Sequence, residues 1–405
     1  MAFLFRIRIA ILALLVVATA GAAFWTFHDR AVPADMLLWS AASLLIAAGV
    51  AFVQLRHAGL AVLVAVAPLP GMIAAGPVSS ELAVSGFLAV YGFGYLAAAC
   101  FAGEIVRGVL DGVAPVEAAR ATLARFGLPI ALSAVAGAIL TAGSLFRQAP
   151  ATGMGAAGEL VCAGISVMAF VPFAAAVLSY GESFFVVANR LRERREGLLR
   201  ILAMAAEPRW AMSLSGIALV FATLGWFGAA PLLPRHGLLS ETALWGASAL
   251  GIFVVAHSVG RDWRDAIAAT LALAALALMS AWLLGRAVGH LTAGAFAELA
   301  LVAATALLTM TSLIAASRGF RTSGDRPQTA RLRAIECLGV APLFGSLGAA
   351  GAVAPWIALH GSNVALSATF LFAGAAGLLA MPALATALET LMRRRKSVDE
   401  LYGRG

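Results

Sequence analysis

Long apolar windows recur along the whole chain, and each is about as long as a helix that crosses a membrane. Of the 405 residues, 62% are hydrophobic and only 12% are charged, so the charged side chains are too few to cover a soluble globule. Uninterrupted apolar runs satisfy their backbone groups in lipid only as helices, whereas a barrel would show alternating polarity. We therefore predict an all-α polytopic membrane protein with about twelve transmembrane spans, at residues 9–27, 36–54, 58–75, 82–106, 127–146, 160–188, 210–230, 242–260, 266–285, 294–317, 338–358 and 364–390.

The basic residues favour one orientation of these spans. Lys and Arg accumulate in cytoplasmic loops, and with both termini in the cytoplasm 24 of the 28 basic residues fall on that side. The isoelectric point of about 10.4 is then mostly a consequence of topology and only weak support for binding nucleic acid or anionic lipid. We predict a multi-pass membrane protein with both termini in the cytoplasm, with membrane lipids as partners and no nucleic acid. The four basic residues on the outer side are Arg30, Arg147, Arg235 and Arg286.

An internal repeat is the second constraint. Residues 104–146 read as the end of a span, a short charged connector and a new apolar helix that begins at Gly127 and Pro129; the same order returns at 318–357. The matched pairs are Gly112 with Gly324, Pro115 with Pro327, Ala118 with Ala330, Gly127 with Gly339, Arg56 with Arg264 and Pro172 with Pro382.

This repeat predicts the domain organisation. The first six spans form one repeat over residues 1–189, and the last six form a second over 210–405. A basic and amphipathic cytoplasmic linker, 190–209, joins them, either lying at the lipid headgroups or remaining in solvent. Parallel six-helix repeats of this kind are a recurrent transporter architecture.

Carboxylates inside the predicted spans are candidates for function, because a charged group within the hydrocarbon is costly. Glu182 is the deepest of them and is suited to proton exchange if no cation accompanies it. The alternative places it at the cytoplasmic interface beside Arg190. Glu104 lies three residues before Arg107, the spacing of a helical ion pair, which favours a structural role. The proton-carrier candidates are thus Glu182, Glu104 and Glu298, with Glu389 near the end of the last span.

Glycine and proline mark predicted sites of close packing and bending. Gly92 and Gly94 stand among aromatic residues in the fourth span, where small residues allow close helix contact or a local bend. Pro172 and Pro382 fall inside the sixth and twelfth spans, where proline removes a helical hydrogen bond.

Enzymatic chemistry has no support in the sequence. The 3 cysteines and 6 histidines are scattered and show no metal-ligand spacing. No nucleophile elbow or phosphate-binding glycine loop is present, so we expect no catalytic residues, no metal and no cofactor.

The order of features resembles the membrane domain of the resistance-nodulation-division (RND) superfamily, in particular its MMPL-like and hopanoid-exporter branch. Each half has a lone first helix, a hairpin that turns at an Arg, a fourth helix ending in Arg, and a G-x-x-P/A-x-x-A connector to a glycine-entered fifth helix. The residues that carry the resemblance are Arg56, Arg107, Gly112, Pro115, Ala118 and Gly127, then Arg264, Arg318, Gly324, Pro327, Ala330 and Gly339.

Two departures from that family stand out. Its members usually carry large periplasmic domains after the first and seventh helices, whereas the corresponding segments here are only 27–35 and 231–241. The family also tends to place a proton-relay carboxylate in the middle of the fourth or tenth helix. The matching positions here are Gly94–Tyr95 and Leu307–Leu308, so proton coupling through the usual relay is in doubt.

The resemblance implies an RND-like transport protein of the bacterial inner membrane that exports a lipid or another hydrophobic substrate. It leaves proton coupling open. It also implies a periplasmic or membrane protein as an additional partner. One alternative is a major-facilitator permease, which would lack the amphipathic connectors before the fifth and eleventh spans. The other is a non-transporting membrane scaffold or accessory subunit, which would tolerate substitution of every intramembrane carboxylate.

Overall fold

The computed structural model describes residues 34–75, 85–145, 150–179, 201–229, 231, 238–288, 293–358 and 363–402. Every regular element within these ranges is helical. Met204–Ala206 and Ala354–Ala358 are 3₁₀ turns, and Ala376–Ala380 is a π-helix. The α-helices are α1 Ala34–Leu55, α2 Ala58–Val66, α3 Leu69–Ala74, α4 Ser85–Leu110, α5 Pro115–Leu145, α6 Pro150–Ser179, α7 Pro208–Ala229, α8 Leu238–Gly260, α9 Trp263–Val288, α10 Ala293–Thr322, α11 Pro327–Leu338, α12 Val340–Val353, α13 Asn363–Ala375 and α14 Met381–Tyr402.

The helices confirm a multi-pass all-α membrane protein. Within the described ranges, 9 helices are long and apolar enough to cross a membrane. Two shorter apolar helical segments, Ala58–Ile73 and Gly246–Gly260, coincide with the predicted third and eighth spans. The predicted first span, 9–27, lies outside the described residues, so the total of twelve remains a prediction.

The fifth span begins earlier than predicted. The sequence placed its start at Gly127 and Pro129, but α5 runs unbroken from Pro115 to Leu145 and contains Pro129 in its interior. The connector has its own apolar face, on which Ala119 and Phe126 are buried, so it packs as the first turns of the same helix. In the second half the helix does break at Gly339, between α11 and α12.

Backbone conformation shows the repeat directly at the connectors. Gly112 and Gly324, a pair matched from sequence, both have positive φ, +86° and +100°. Glycine adopts this conformation without the Cβ penalty, and each residue ends a helix there.

The hairpin turns require one correction. The sequence matched Arg56 with Arg264, but the residues with equivalent backbone are Arg56 and Arg261, with φ of 55° and 54°. Each donates its N–H to the carbonyl four residues earlier, at 2.7 Å. The next residue then caps the following helix: His57 Nδ1 accepts from Leu60 N, and Asp262 Oδ1 accepts from Arg264 N. The sequence match was therefore wrong by three positions, because Arg264 is already inside α9.

The two halves interlock around α4 and α10. These are the most buried of the 9 candidate spans, with 89% and 83% of their apolar windows inside the protein. The helix α5 of the first half packs along α10 of the second, and α12 of the second half packs along α4 of the first. Each half therefore covers the central helix of the other.

Candidate functional site

A buried ionic cluster lies at one end of the second half. Arg331 of α11 donates from Nε to Asp265 Oδ1 at 3.0 Å and from Nη1 to Glu389 Oε2 at 2.9 Å. Asp265 is 1% exposed, and Arg331 and Glu389 are each 5% exposed. The guanidinium thus joins the start of α9 to α14.

Arg321 adds the end of α10 to this cluster. It donates from Nη1 to Asp262 Oδ2 at 2.6 Å and also pairs with Asp265. Nearby, Arg318 Nη1 donates to the carbonyl of Val259 at 2.9 Å. Buried charges are tolerated only when they are paired and hydrogen-bonded, so removing one member should leave the others poorly compensated.

A small cavity lies beside the cluster, between α10, α11 and the start of α14. Two polar atoms of residues that line it, Ser317 Oγ and Arg331 Nη2, have no hydrogen-bond partner among the described residues. Such atoms carry the full desolvation cost of a buried polar group. The cavity is lined by Asp265, Leu313, Ile314, Ser317, Arg331, Ala334, Ile335, Met381 and Pro382.

The last span changes helix type at this cavity. The π-helix Ala376–Ala380 separates α13 from α14, and Pro382 follows it as the second residue of α14. Short π-helical turns inside α-helices occur frequently at functional sites. Pro172, the sequence counterpart of Pro382, lies inside α6, which is α-helical over its whole length.

The first half carries a different ionic cluster, centred on Glu104. The predicted pair is present: Arg107 Nε donates to Glu104 Oε2 at 3.0 Å. Arg125 of α5 adds a second cation, with Nη1 2.7 Å from Glu104 Oε1. Glu104 is therefore an ion-pair centre between α4 and α5 in this structure.

The thiol of Cys337, at the end of α11, lies close enough to this cluster to interact electrostatically with its charges. Burial raises the pKa of Cys337, and the neighbouring Arg107 and Arg125 guanidinium groups partly offset that rise.

The other predicted carboxylates are dispersed. Glu298, near the start of α10, accepts a hydrogen bond from Ser85 Oγ at the start of α4, so it joins the two central helices. Glu182 lies outside the described residues and stays a prediction. The structure does not bring Glu104 and Glu298 together, since they lie towards opposite ends of neighbouring helices.

Glu159 is a buried carboxylate that the sequence reasoning missed. It is 3% exposed and lies nine residues after Pro150, where α6 begins. The predicted span began at 160, which placed Glu159 just outside the membrane. Proline is favoured in the first turn of a helix, so Pro150 could have been used to predict where the sixth span begins. A span that began there would have included Glu159.

Aromatic and hydrophobic packing occupies the positions where the resemblance to RND proteins would place a relay carboxylate. Tyr95 donates its hydroxyl to the backbone carbonyl of Ala47 at 2.9 Å, and Leu307 is 1% exposed. These positions therefore serve helix contact. Among the described residues, no group of three or more His, Cys, Asp or Glu is placed to hold a metal.

Both predicted packing glycines are close helix contacts. A Cβ atom on Gly92 would overlap the ring of Phe370 in α13. A Cβ atom on Gly94 would lie 2.6 Å from Pro68 Cβ, which is shorter than carbon–carbon contact. Their role in this structure is close approach between helices.

Comparison with known proteins supports the fold and nothing finer. No protein-family model matches the sequence, and no curated protein matches it. Solved structures do match the fold. SecDF, a translocon-associated membrane protein from Thermus thermophilus, is 14% identical to this chain and has a TM-score of 0.58. The match covers 88% of this chain and 62% of the SecDF chain. SecDF in its super-membrane-facing form is 12% identical over 95% of this chain and 63% of that one, with a TM-score of 0.56.

The chain thus spans about three fifths of the length of these SecDF chains. This protein therefore shares the helical membrane fold of SecDF. At such low identity the likeness covers the arrangement of helices and does not extend to substrate or activity.

Proposed function

We propose that this protein is an inner-membrane transport protein of the RND type, with cytoplasmic termini, that moves a lipid or another hydrophobic substrate. The observation that carries the proposal is the interlocked pair of buried helices α4 and α10, each covered by a helix of the opposite half. Motion of one half must then displace the central helix of the other. That coupling suits a transporter built from two repeats.

The driving force in this proposal does not pass through the family's usual relay, because Tyr95 and Leu307 occupy its positions. The carboxylates that we consider for proton coupling are Glu159 in α6, Glu298 in α10 and Glu182, which remains a prediction from the sequence. A carboxylate at membrane depth is by default a functional candidate. Glu104 is set aside, because it is held in ion pairs with Arg107 and Arg125.

A major-facilitator permease fits less well. The connector predicted for the RND plan is present before the eleventh span as α11, and before the fifth span as the first turns of α5.

A second candidate function is an accessory subunit of a membrane assembly that does not itself transport. The absence of a carboxylate at Tyr95 and Leu307 favours it, because a chain without the relay retains the fold and loses the usual coupling. SecDF is itself described as translocon-associated.

Proton flux in proteoliposomes separates the two functions. The purified protein is reconstituted with a pH-sensitive dye inside, a pH gradient is imposed, and a membrane-lipid extract is added. The variants are Glu159→Gln, Glu298→Gln and Glu182→Gln; Glu117→Gln, at the exposed start of α5, is the control. A coupled transporter shows lipid-dependent flux that one of the three variants abolishes and the control retains.

Flux absent from the wild type would refute coupled transport. A lipid-transfer assay between labelled and unlabelled vesicles then decides whether the protein moves lipid passively. No transfer above protein-free vesicles would leave the accessory subunit as the better description.

A further inference from the structure

We propose that the small cavity between α10, α11 and the start of α14 is a binding site for one water molecule, which bridges Ser317 of α10 to Arg331 of α11. The proposal is independent of whether the protein transports. It rests on the size of the cavity, on two polar atoms in its wall and on the charge around it.

The size of the cavity decides which kind of ligand it can hold. Its volume of about 10 Å³ is at the lower end of the about 10–15 Å³ that one buried water molecule requires. A hydrated ion, a lipid headgroup or an organic molecule is too large for this space. Water is therefore the ligand that fits.

The wall of the cavity carries two buried polar groups that lack a partner. Ser317 and Arg331 are 3% and 5% exposed, and neither Ser317 Oγ nor Arg331 Nη2 has a hydrogen-bond partner among the described residues. Both residues line the cavity. Apolar cavities stay empty, whereas buried water is found where it satisfies polar groups of this kind.

The hydroxyl of Ser317 differs from the threonine hydroxyls of the same helix. Thr305, Thr309 and Thr311 each donate to the carbonyl four residues earlier, at 3.5, 3.4 and 2.8 Å. A hydroxyl inside a helix is commonly satisfied in this way. Ser317 makes no such bond, so its hydroxyl is available to a ligand in the cavity.

The donors and acceptors around the cavity match those of water. Arg331 Nη2 can only donate, so its partner must accept, while Ser317 Oγ can do either. A water molecule accepts from Arg331 and still has two protons to donate, to Ser317 or to Asp265, the third polar residue of the wall. The bonds of Arg331 Nε to Asp265 and of Nη1 to Glu389 are kept.

The charge of the wall favours a neutral ligand. Of the described residues that line the cavity, the charged ones are Asp265 and Arg331, and they form an ion pair in which Nε and Oδ1 are 3.0 Å apart. An added ion would leave this buried pair with an uncompensated charge.

The bridge gives α10 a further polar contact with the buried ionic cluster. Ser317 lies four residues before Arg321, or about one helical turn. Arg321 already pairs with Asp262 and Asp265. The water molecule therefore extends the cluster by one turn along the buried helix α10.

The first test compares two serines of α10. Ser312 is also buried, at 1% exposed, and its Oγ also lacks a partner among the described residues, but it does not line the cavity. Ser317→Ala should lower the equilibrium constant for folding in mixed detergent micelles by about tenfold, the effect of one hydrogen bond to a charged group. Ser312→Ala is the control.

The control should leave the folding constant unchanged or raise it, because alanine favours a helix and the variant removes a buried polar atom without a partner. An empty cavity predicts the same result for Ser317→Ala. A Ser317→Ala protein that is as stable as the wild type, or more stable, therefore overturns the proposal.

The second test observes the water in the wild-type protein and needs no variant. A crystallographic or cryo-electron microscopy map that resolves ordered water should contain one peak within hydrogen-bond distance of both Ser317 Oγ and Arg331 Nη2. An empty cavity, or a direct hydrogen bond between Ser317 and Arg331, overturns the proposal. So does a peak with the anomalous signal of bromide after halide exchange, because it identifies an ion.

Discussion

The interlock between the halves can be tested at one glycine. Gly137 of α5 faces α10, and a Cβ atom there would overlap the methyl group of Ala304 and lie 2.7 Å from Leu160 Cδ2. Ordinary carbon contacts are about 3.5–4.0 Å, so the Gly137→Ala variant requires α5 and its neighbours to separate by about 1 Å. Ala304 has no rotamer through which to move away.

The expected cost follows from two opposing effects. Overpacking of a close contact costs about 1–3 kcal/mol, whereas replacing Gly by Ala inside a helix gains up to about 1 kcal/mol. Because the overlap involves a rigid methyl group, we expect the overpacking cost to dominate. Gly137→Ala should therefore lower the free energy of unfolding by about 1–2 kcal/mol.

Equilibrium unfolding in mixed detergent micelles measures this difference. Gly155→Ala is the control, because a Cβ atom on Gly155 in α6 meets nothing within 4 Å, and it should be neutral or slightly stabilising. Ala304→Gly added to Gly137→Ala should recover part of the loss, which a double-mutant cycle reports as coupling. If Gly137→Ala behaves like Gly155→Ala, or Ala304→Gly gives no recovery, the close α5–α10 contact is wrong.

Three further predictions concern the ionic clusters. Asp265→Asn should lower the free energy of unfolding by about 3–5 kcal/mol in the same assay, because it leaves the buried arginines uncompensated. Asp325→Asn removes a more exposed ion pair and should lower it by less than about 1 kcal/mol. For Glu104→Gln the loss in free energy of unfolding should lie between these two values, since the two arginine partners of Glu104 are 34% and 39% exposed and remain hydrated. A loss equal to that of Asp265→Asn would contradict this expectation. Cys337 should react with iodoacetamide more slowly than a free thiol at neutral pH and accelerate only at higher pH, because burial raises its pKa. Arg107→Gln should slow that reaction further, since the guanidinium favours the thiolate, and an unchanged pH profile would refute the contact.

The sequence was sufficient for the features that depend on local chemistry. Apolar windows predicted the spans because only helices satisfy the backbone in lipid. The pair Gly112 and Gly324 was recognisable because a helix end with positive φ selects glycine, and both positions show it. The end of α5 was predicted within one residue. Its start was not predicted, because the amphipathic turns of the connector pack on the bundle and continue the helix.

The features that depend on distant contacts were not predictable in this way. Asp262 and Asp265 stand in a stretch that reads as a basic turn, and their partners are 59 and 66 residues away in the chain. No spacing rule links such residues. Glu159 was missed for a different reason: a boundary error of ten residues moved it from inside a helix to a loop.

The two halves share a backbone plan but differ in what they can do with it. In the first half, α6 is a continuous α-helix, and the ionic cluster of Glu104 joins two helices that are adjacent in the chain. In the second half, the equivalent span is broken by a π-helix, and Arg331 links three helices beside a cavity. The helix α14 packs on α7 and α9, whereas the π-helix before it packs on α10. The asymmetry between the halves therefore lies in their ionic clusters and in the helix type of the last span.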